Sequence, residues 1–177
     1  MKTNSFVFAL FSIVILGCSS TKKITIATAN DTEDLVGLIT KEQFSTAPYK
    51  LWFEPNYNNY KLNSSVIDKL KPLLKNVSIK AFMGTWCGDS QDQTPVFYKI
   101  LDETNFNYKQ LQLVGVGHNK STPDNAQEGY DIQRVPTFIF YKNSKEIGRF
   151  VEYPRETIEK DILKILSNQG YKHSYQE

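Results

Sequence analysis

Hydrophobic and polar positions settle into a regular rhythm from Asn63 onward. "NSSVIDKLKPLLKN" opens on good N-cap residues and sets Val66, Leu70 and Leu73 or Leu74 along one side, which predicts a short helix disturbed near Pro72. "VSIKAFM", Val77 to Met83, alternates apolar and mixed positions and predicts a strand. From Gly88 to Glu103 the period becomes helical, with Val96 and Ile100, and Phe97 and Leu101, four residues apart. "LQLVGVG", Leu111 to Gly117, is a nearly continuous apolar run, as for a central strand covered on both faces. "RVPTFIFYKNSKEIGRFV" divides at Asn143 and Ser144 into two strand-like runs, an antiparallel hairpin. "PRETIEKDILKIL" then places Pro154 at a helix start and spaces Ile158, Ile162 and Leu166 by four. The order helix, strand, helix, strand, short helix or loop, hairpin, helix predicts an α/β sandwich with a mixed sheet flanked by helices.

Before Asn63 the pattern is less regular. "TKEQF" from Thr40 has the look of a capping box, and "APYKLWFEPNYNNY" is dense in aromatics and broken by Pro48 and Pro55. Residues 34–62 are read as an N-terminal extension packing on the main body, residues 63–177, with Trp52, Phe53, Tyr57 and Tyr60 as packing residues. Residues 18–33 are polar and rich in Ser, Thr and Ala, the composition of a tether.

Length and charge narrow the picture only a little. A chain of 177 residues, 40% of them hydrophobic and eleven of them Phe, fills one compact core. With 21 basic and 19 acidic residues spread along the chain, there is no block or stripe that would favour nucleic acid.

The first residues say more. Lys2, the apolar run "SFVFALFSIVIL" and "ILGC" at Ile15 to Cys18 resemble a bacterial lipoprotein signal, residues 1–17, with its lipobox. The resemblance implies cleavage before Cys18, acylation of Cys18, and a lipid-anchored protein of the cell envelope facing the periplasm, at either the inner or the outer membrane. An ordinary secretory signal and an uncleaved anchor are the alternatives. If Cys18 carries lipid, Cys87 is the remaining free thiol, and no intramolecular disulfide can form.

Cys87 lies in "GTWCGDSQ", at a strand-to-helix junction. With Pro95 in the following helix and "RVPTFIFY" about fifty residues later, residues 64 to 168 resemble the thioredoxin family. The resemblance implies a thioredoxin fold, a nucleophilic sulfur at Cys87, a cis Val135–Pro136 bond turned towards it, and a binding groove that includes Trp86, Gly88, Asp89, Val135 and Pro136.

Two departures matter. Ser90 stands where the family has its resolving cysteine, and Ala81 where it has a buried acid. A serine hydroxyl can hydrogen-bond a thiolate but cannot attack a disulfide, so an external thiol must release any mixed disulfide on Cys87. A helix N-terminus favours an anion by roughly 0.3–1 kcal/mol, whereas the Asp89 carboxylate about 4 Å away in water-like surroundings costs on the order of 1 kcal/mol. Activation is therefore left to hydrogen bonds from Ser90 and from the backbone of Gly88 or Asp89. His118, after the "LQLVGVG" run, is a further titratable group near the same sheet edge, read as a solvated loop residue.

With Cys18 acylated, the one remaining Cys, two His and scattered carboxylates give no metal-ligand spacing, and no cofactor is implied. The sequence thus points to monothiol thiol–disulfide exchange on protein or small-molecule thiols and disulfides. The alternative is a redox-inactive module binding peptide or protein in the same groove. A thiol peroxidase is a weaker third reading, because no resolving cysteine is present.

Overall fold

The computed structural model describes residues 25–29 and 33–176. The expected signal at residues 1–17 and Cys18 lie outside them.

Among the described residues, six strands form one sheet in the order β1-β2-β4-β3-β5-β6. They are β1 (Thr28–Ala29), β2 (Leu35–Ile39), β3 (Ser78–Met83), β4 (Leu111–Gly115), β5 (Thr137–Lys142) and β6 (Lys145–Val151). Central β3 pairs parallel with β4 and antiparallel with β5; β2 pairs antiparallel with β4, and β5 with β6. The sheet is mixed, as the alternation of strands and helices requires. The hairpin turns at Asn143 and Ser144, both with positive φ (51° and 62°), the conformation a two-residue turn between twisted strands needs.

Among the described residues there are four α-helices: α1 (Lys50–Asn59), α2 (Ser64–Leu73), α3 (Gly88–Glu103) and α4 (Ile158–Leu166). Asn63 caps α2 by accepting from the N–H groups of Ser65 and Val66 at 3.1 and 3.3 Å. The helix runs through Pro72 and tightens into a 3-10 turn at Leu74–Asn76.

Sheet alternation creates two cores. Ile79, Ala81 and Met83 face a cluster that takes in the buried apolar residues of all four helices, among them Leu70, Phe97, Ile100 and Ile162. Phe82, Val114, Val116 and Ile139 face the other way, where Ala126, Tyr130, Ile132 and Val135 from the segment between β4 and β5 cover them. No helix forms there; the segment consists of turns and bends.

Three expectations need correction. The extension does more than pack on the body, because Leu35–Ile39 is a strand of the sheet with Leu35 and Ile39 buried. Part of the tether joins it: Ala27 donates to Leu38 O at 2.8 Å, Leu38 to Thr25 O at 2.7 Å, and Gly37, at φ 119°, lets that chain approach where a Cβ would lie 2.6 Å from Thr25 O. The last helix starts at Ile158 and not at Pro154, because the Asp161 carboxylate accepts from the N–H groups of Arg155 and Glu156 and holds residues 154–157 outside it, with Thr157 as N-cap.

The aromatic stretch has a plain account. Residues 50–59 form a helix with Pro55 inside, Phe53 is buried, and Trp52, Tyr57 and Tyr60 pack at the edge of the helix-side core. Phe44 and Phe53 stack at 4.8 Å, and both rings meet Tyr98 edge-on.

Candidate active site

β3 delivers the chain to the site and α3 carries it away. Between them Gly84, Thr85 and Trp86 make a turn closed by Cys87 N–H donating to Gly84 O at 3.0 Å, and Cys87 is the N-cap of α3, with extended backbone. The turn is held from three sides. Gln91 Nε2 donates to Thr85 O at 2.7 Å, Leu35 N–H donates to Thr85 Oγ1 at 3.0 Å, and Gly84 N–H donates to Ser90 Oγ at 3.2 Å.

Trp86 lies folded over this turn. Its indole N–H donates to Val116 O at 2.9 Å, and a Cβ on Gly84 would lie 2.5 Å from the indole, so glycine is what lets the ring settle there. His118 stacks on its face, centroids 4.4 Å apart, and His118 Nε2 is 3.6 Å from Asp34 Oδ2. The imidazole remains 71% exposed while the Asp34 carboxylate is buried. His118 is therefore more than a solvated loop residue: its outer side meets water, but its ring is part of the site's wall.

Cys87 is partly buried, and its Sγ donates to Val135 O at 3.3 Å. The Val135–Pro136 bond is cis, and both residues are buried. A second cis bond, Ala47–Pro48, lies away from the site and was not expected. The loop before β5 is fixed by Thr137 Oγ1 donating to Arg134 O at 2.7 Å and Glu152 N–H donating to Pro136 O at 2.7 Å. Cys87, Trp86, Val135 and Pro136 thus come together, drawn from two chain segments separated by 48 residues.

The hydrogen bonds at the sulfur differ from the expected ones. No α3 N–H caps onto Sγ, and Ser90, fully buried, spends its oxygen as acceptor from Gly84. Sγ thus faces a backbone carbonyl oxygen and no N–H group of α3. Gly88 is exposed with open space over its Cα, and Asp89 stands in the first turn of α3, where its charge complements the helix dipole. Ala81, at the place of the absent acid, is fully buried in the helix-side core.

The family model described as thioredoxin matches residues 43–164. The chain belongs to the thioredoxin family. Among relatives, a chloroplastic thioredoxin Y of Oryza sativa subsp. japonica is 29% identical over 86 residues, 49% of this chain and 48% of that protein. A thioredoxin of Gallus gallus is 24% identical over 98 residues, 55% of this chain and 88% of that protein. The match thus spans only about half the length of the chloroplastic thioredoxin. In three dimensions, the crystal structure of a protein of unknown function from Pseudomonas aeruginosa superposes with a TM-score of 0.54 at 13% identity, covering 70% of this chain and 87% of the other; at that identity it speaks to the fold alone.

Within a thioredoxin-family chain, sequence reasoning missed Asp34, Thr85, Gln91 and Val116 as supports of the site. Gln91 and Thr85 flank Cys87 in the sequence, but only the fold brings Asp34 and Val116 there, through β2 and β4.

Proposed function

We propose that this protein performs thiol–disulfide exchange as a monothiol through Cys87, tethered by lipid on Cys18 to a bacterial envelope membrane and facing the periplasm. The observation that carries the exchange reading is the seating of Cys87 Sγ 3.3 Å from Val135 O of the cis pair, at the start of α3. Lipobox and anchoring rest on "ILGC" at Ile15 to Cys18.

Cys87 loses its proton to solvent, and its thiolate attacks one sulfur of a disulfide RS–SR′. A Cys87–SR bond forms, the S–S bond breaks, and R′S⁻ leaves with the electron pair. Ser90 cannot supply the second attack. An external thiolate R″S⁻ attacks the SR sulfur of the mixed disulfide, RS–SR″ departs, and Cys87 is restored as thiolate. Trp86 walls one side of the sulfur, and the Val135–Pro136 backbone with Gly88 and Asp89 frames the place of the incoming chain.

One observation favours the second reading, a redox-inactive binding module: Sγ faces a carbonyl oxygen and no N–H donor of α3. Isolation of the protein from its own cells without reductant, after rapid thiol alkylation, followed by mass spectrometry of Cys87, tests the exchange reading. A disulfide-linked protein or small thiol on Cys87 is expected. Cys87 recovered wholly as alkylated free thiol overturns it and leaves the binding module.

A further inference from the structure

The sheet face without a helix has a second polar feature, at the strand end opposite Cys87. Ser78, Lys80, Gln112 and Tyr141 share that face by register: Lys80 pairs with Gln112 across β3 and β4, and Ser78 with Tyr141 across β3 and β5. The segment between β4 and β5 covers the neighbouring Phe82 and Val114 but leaves a cavity of about 340 Å³ lined by Ser78, Lys80, Lys109, Gln112, Tyr130 and Tyr141, with Gln110 and Ser144 at its side. That volume falls in the lower range of small-molecule sites.

Lys80 is the unusual residue. It is only 6% exposed, on a strand whose neighbours Ile79, Ala81 and Phe82 are apolar and buried. Its ammonium donates to Gln112 Oε1 at 2.9 Å and sits 5.3 and 5.7 Å from the ring centroids of Tyr130 and Phe82. Among the described residues it has no carboxylate within ion-pair distance. Asp124 acts on it only from further off and is itself tied to Thr122 Oγ1 and Thr25 N–H. Arg149 and Glu146, near Tyr141 and Tyr130, are committed to each other and to Tyr130 O. Burying a cation against a neutral amide and ring faces is costly unless an anion shares the site. The lining offers two ammonium groups, four hydroxyls and two carboxamides, and no carboxylate.

We propose that this cavity binds a small molecule through an oxyanion held by Lys80, with Lys109 at the rim and hydroxyl donors from Ser78, Tyr130 and Tyr141. A two-negative oxyanion suits this set, since each of its oxygens can accept a charge-assisted or hydroxyl hydrogen bond. A phosphate ester and a polycarboxylate both carry such an oxyanion, and inorganic phosphate and citrate represent the two sources as probes. The site does not depend on the redox reading of Cys87, being at the other end of β3.

The test is titration of the full-length protein with phosphate, with citrate and with chloride as control, followed by backbone amide NMR and calorimetry. Saturable binding of phosphate or citrate below about 10 mM is expected, with moved resonances at Lys80, Gln112 and Tyr141 and none at Trp86 to Ser90. Lys80→Met should weaken it about tenfold or more, and Tyr130→Phe by a smaller factor should Lys80→Met not fold. No saturation with either anion, shifts confined to Lys109 and other surface lysines, or undiminished binding in the folded Lys80→Met protein would overturn the proposal.

Discussion

The imidazole of His118 lies flat on the indole of Trp86, planes 19° apart, one residue before the single cysteine of the site. The indole is thereby pinned by Gly84 beneath it, the Val116 carbonyl at its N–H and His118 above it. Two of these supports come from or just after β4, and Asp34, which faces His118, precedes β2. The wall beside Cys87 is thus an assembly of strand ends, and its pieces can be removed one at a time.

Removing the uppermost piece should have a local effect. His118→Ala deletes the stack but leaves the indole hydrogen bond, so stability should fall by about 0.5–1.5 kcal/mol, the usual worth of an aromatic pair. Exposure of the imidazole favours the lower end. Urea unfolding gives the loss, and tryptophan fluorescence should change in the folded baseline. A loss above about 3 kcal/mol would mean that His118 supports the core and not merely the indole face.

Filling the floor should do more. In Gly84→Ala the new Cβ would meet rigid indole atoms at 2.5–2.8 Å. The ring must move, and the 2.9 Å bond to Val116 O is strained or lost. Overpacking of this kind costs about 1–3 kcal/mol. The discriminating reading is the rate at which Cys87 reacts with a chromogenic aromatic disulfide, which should change in Gly84→Ala by more than it does in His118→Ala.

Ser90 separates structure from chemistry. Ser90→Ala leaves the buried Gly84 N–H without its acceptor and should destabilise by about 1–3 kcal/mol, while exchange through Cys87 survives. Ser90→Cys places a second thiol three residues on, at the same helical face. Under mild oxidation it should form an intramolecular disulfide, read by mass spectrometry as the loss of two hydrogens. Failure to close would show that the buried pose of residue 90 cannot reach Sγ.

Much of this site was legible because its parts are local in sequence or carry unusual residues. Trp86-Cys87-Gly88 after an apolar run, and Val135-Pro136 before another, named the two halves, and the structure joins them at 3.3 Å. Asn143 and Ser144 announced the hairpin because few residues tolerate its positive φ. What escaped depends on tertiary partners. β2 becomes an inner strand by pairing with β4, far along the chain, and with β1. The start of α4 is displaced because Asp161, inside the helix, reaches back to the N–H groups of Arg155 and Glu156. The end of β4 puts His118 on the sheet edge of Cys87, but nothing in its neighbourhood in sequence predicts that its ring stacks on Trp86.

Acid should loosen the junction between the N-terminal helix and α3. Asp102 accepts from Lys41 Nζ at 2.5 Å, Tyr57 OH at 2.6 Å and Tyr108 OH at 2.7 Å. Burial opposes its ionisation, but these donors outweigh burial and hold its carboxyl below the ordinary 3.8. A carboxyl lower in the folded than in the unfolded chain contributes stability that is complete above the unfolded value and lost as pH falls through the folded one. Stability should therefore decline from about pH 5 to below pH 3.8. Asp102→Asn should lower stability at pH 7 by about 1–3 kcal/mol and flatten that decline. Urea midpoints at pH 7, 5 and 3 check both statements, and an unchanged slope in the variant would assign the acid sensitivity to other carboxyls.

Cys87→Ser decides between the two functional readings because it changes the chemistry and little else. A serine hydroxyl can still donate to Val135 O, and the smaller oxygen sits in the same partly open place, so the fold should be kept within about 1 kcal/mol. The groove of Trp86, Val135 and Pro136 is untouched. Under the exchange reading the variant must lose all mixed disulfide with a small aromatic disulfide and all reduction of a peptide disulfide by an external thiol, since no other described sulfur can attack. Under the binding reading, partner retention and cellular phenotype remain as in the wild type, because shape and backbone hydrogen bonds do the holding. An intermediate result is also informative: binding kept but turnover lost would place recognition in the groove and chemistry in the sulfur, as the separation of Cys87 from its backbone frame in this fold allows.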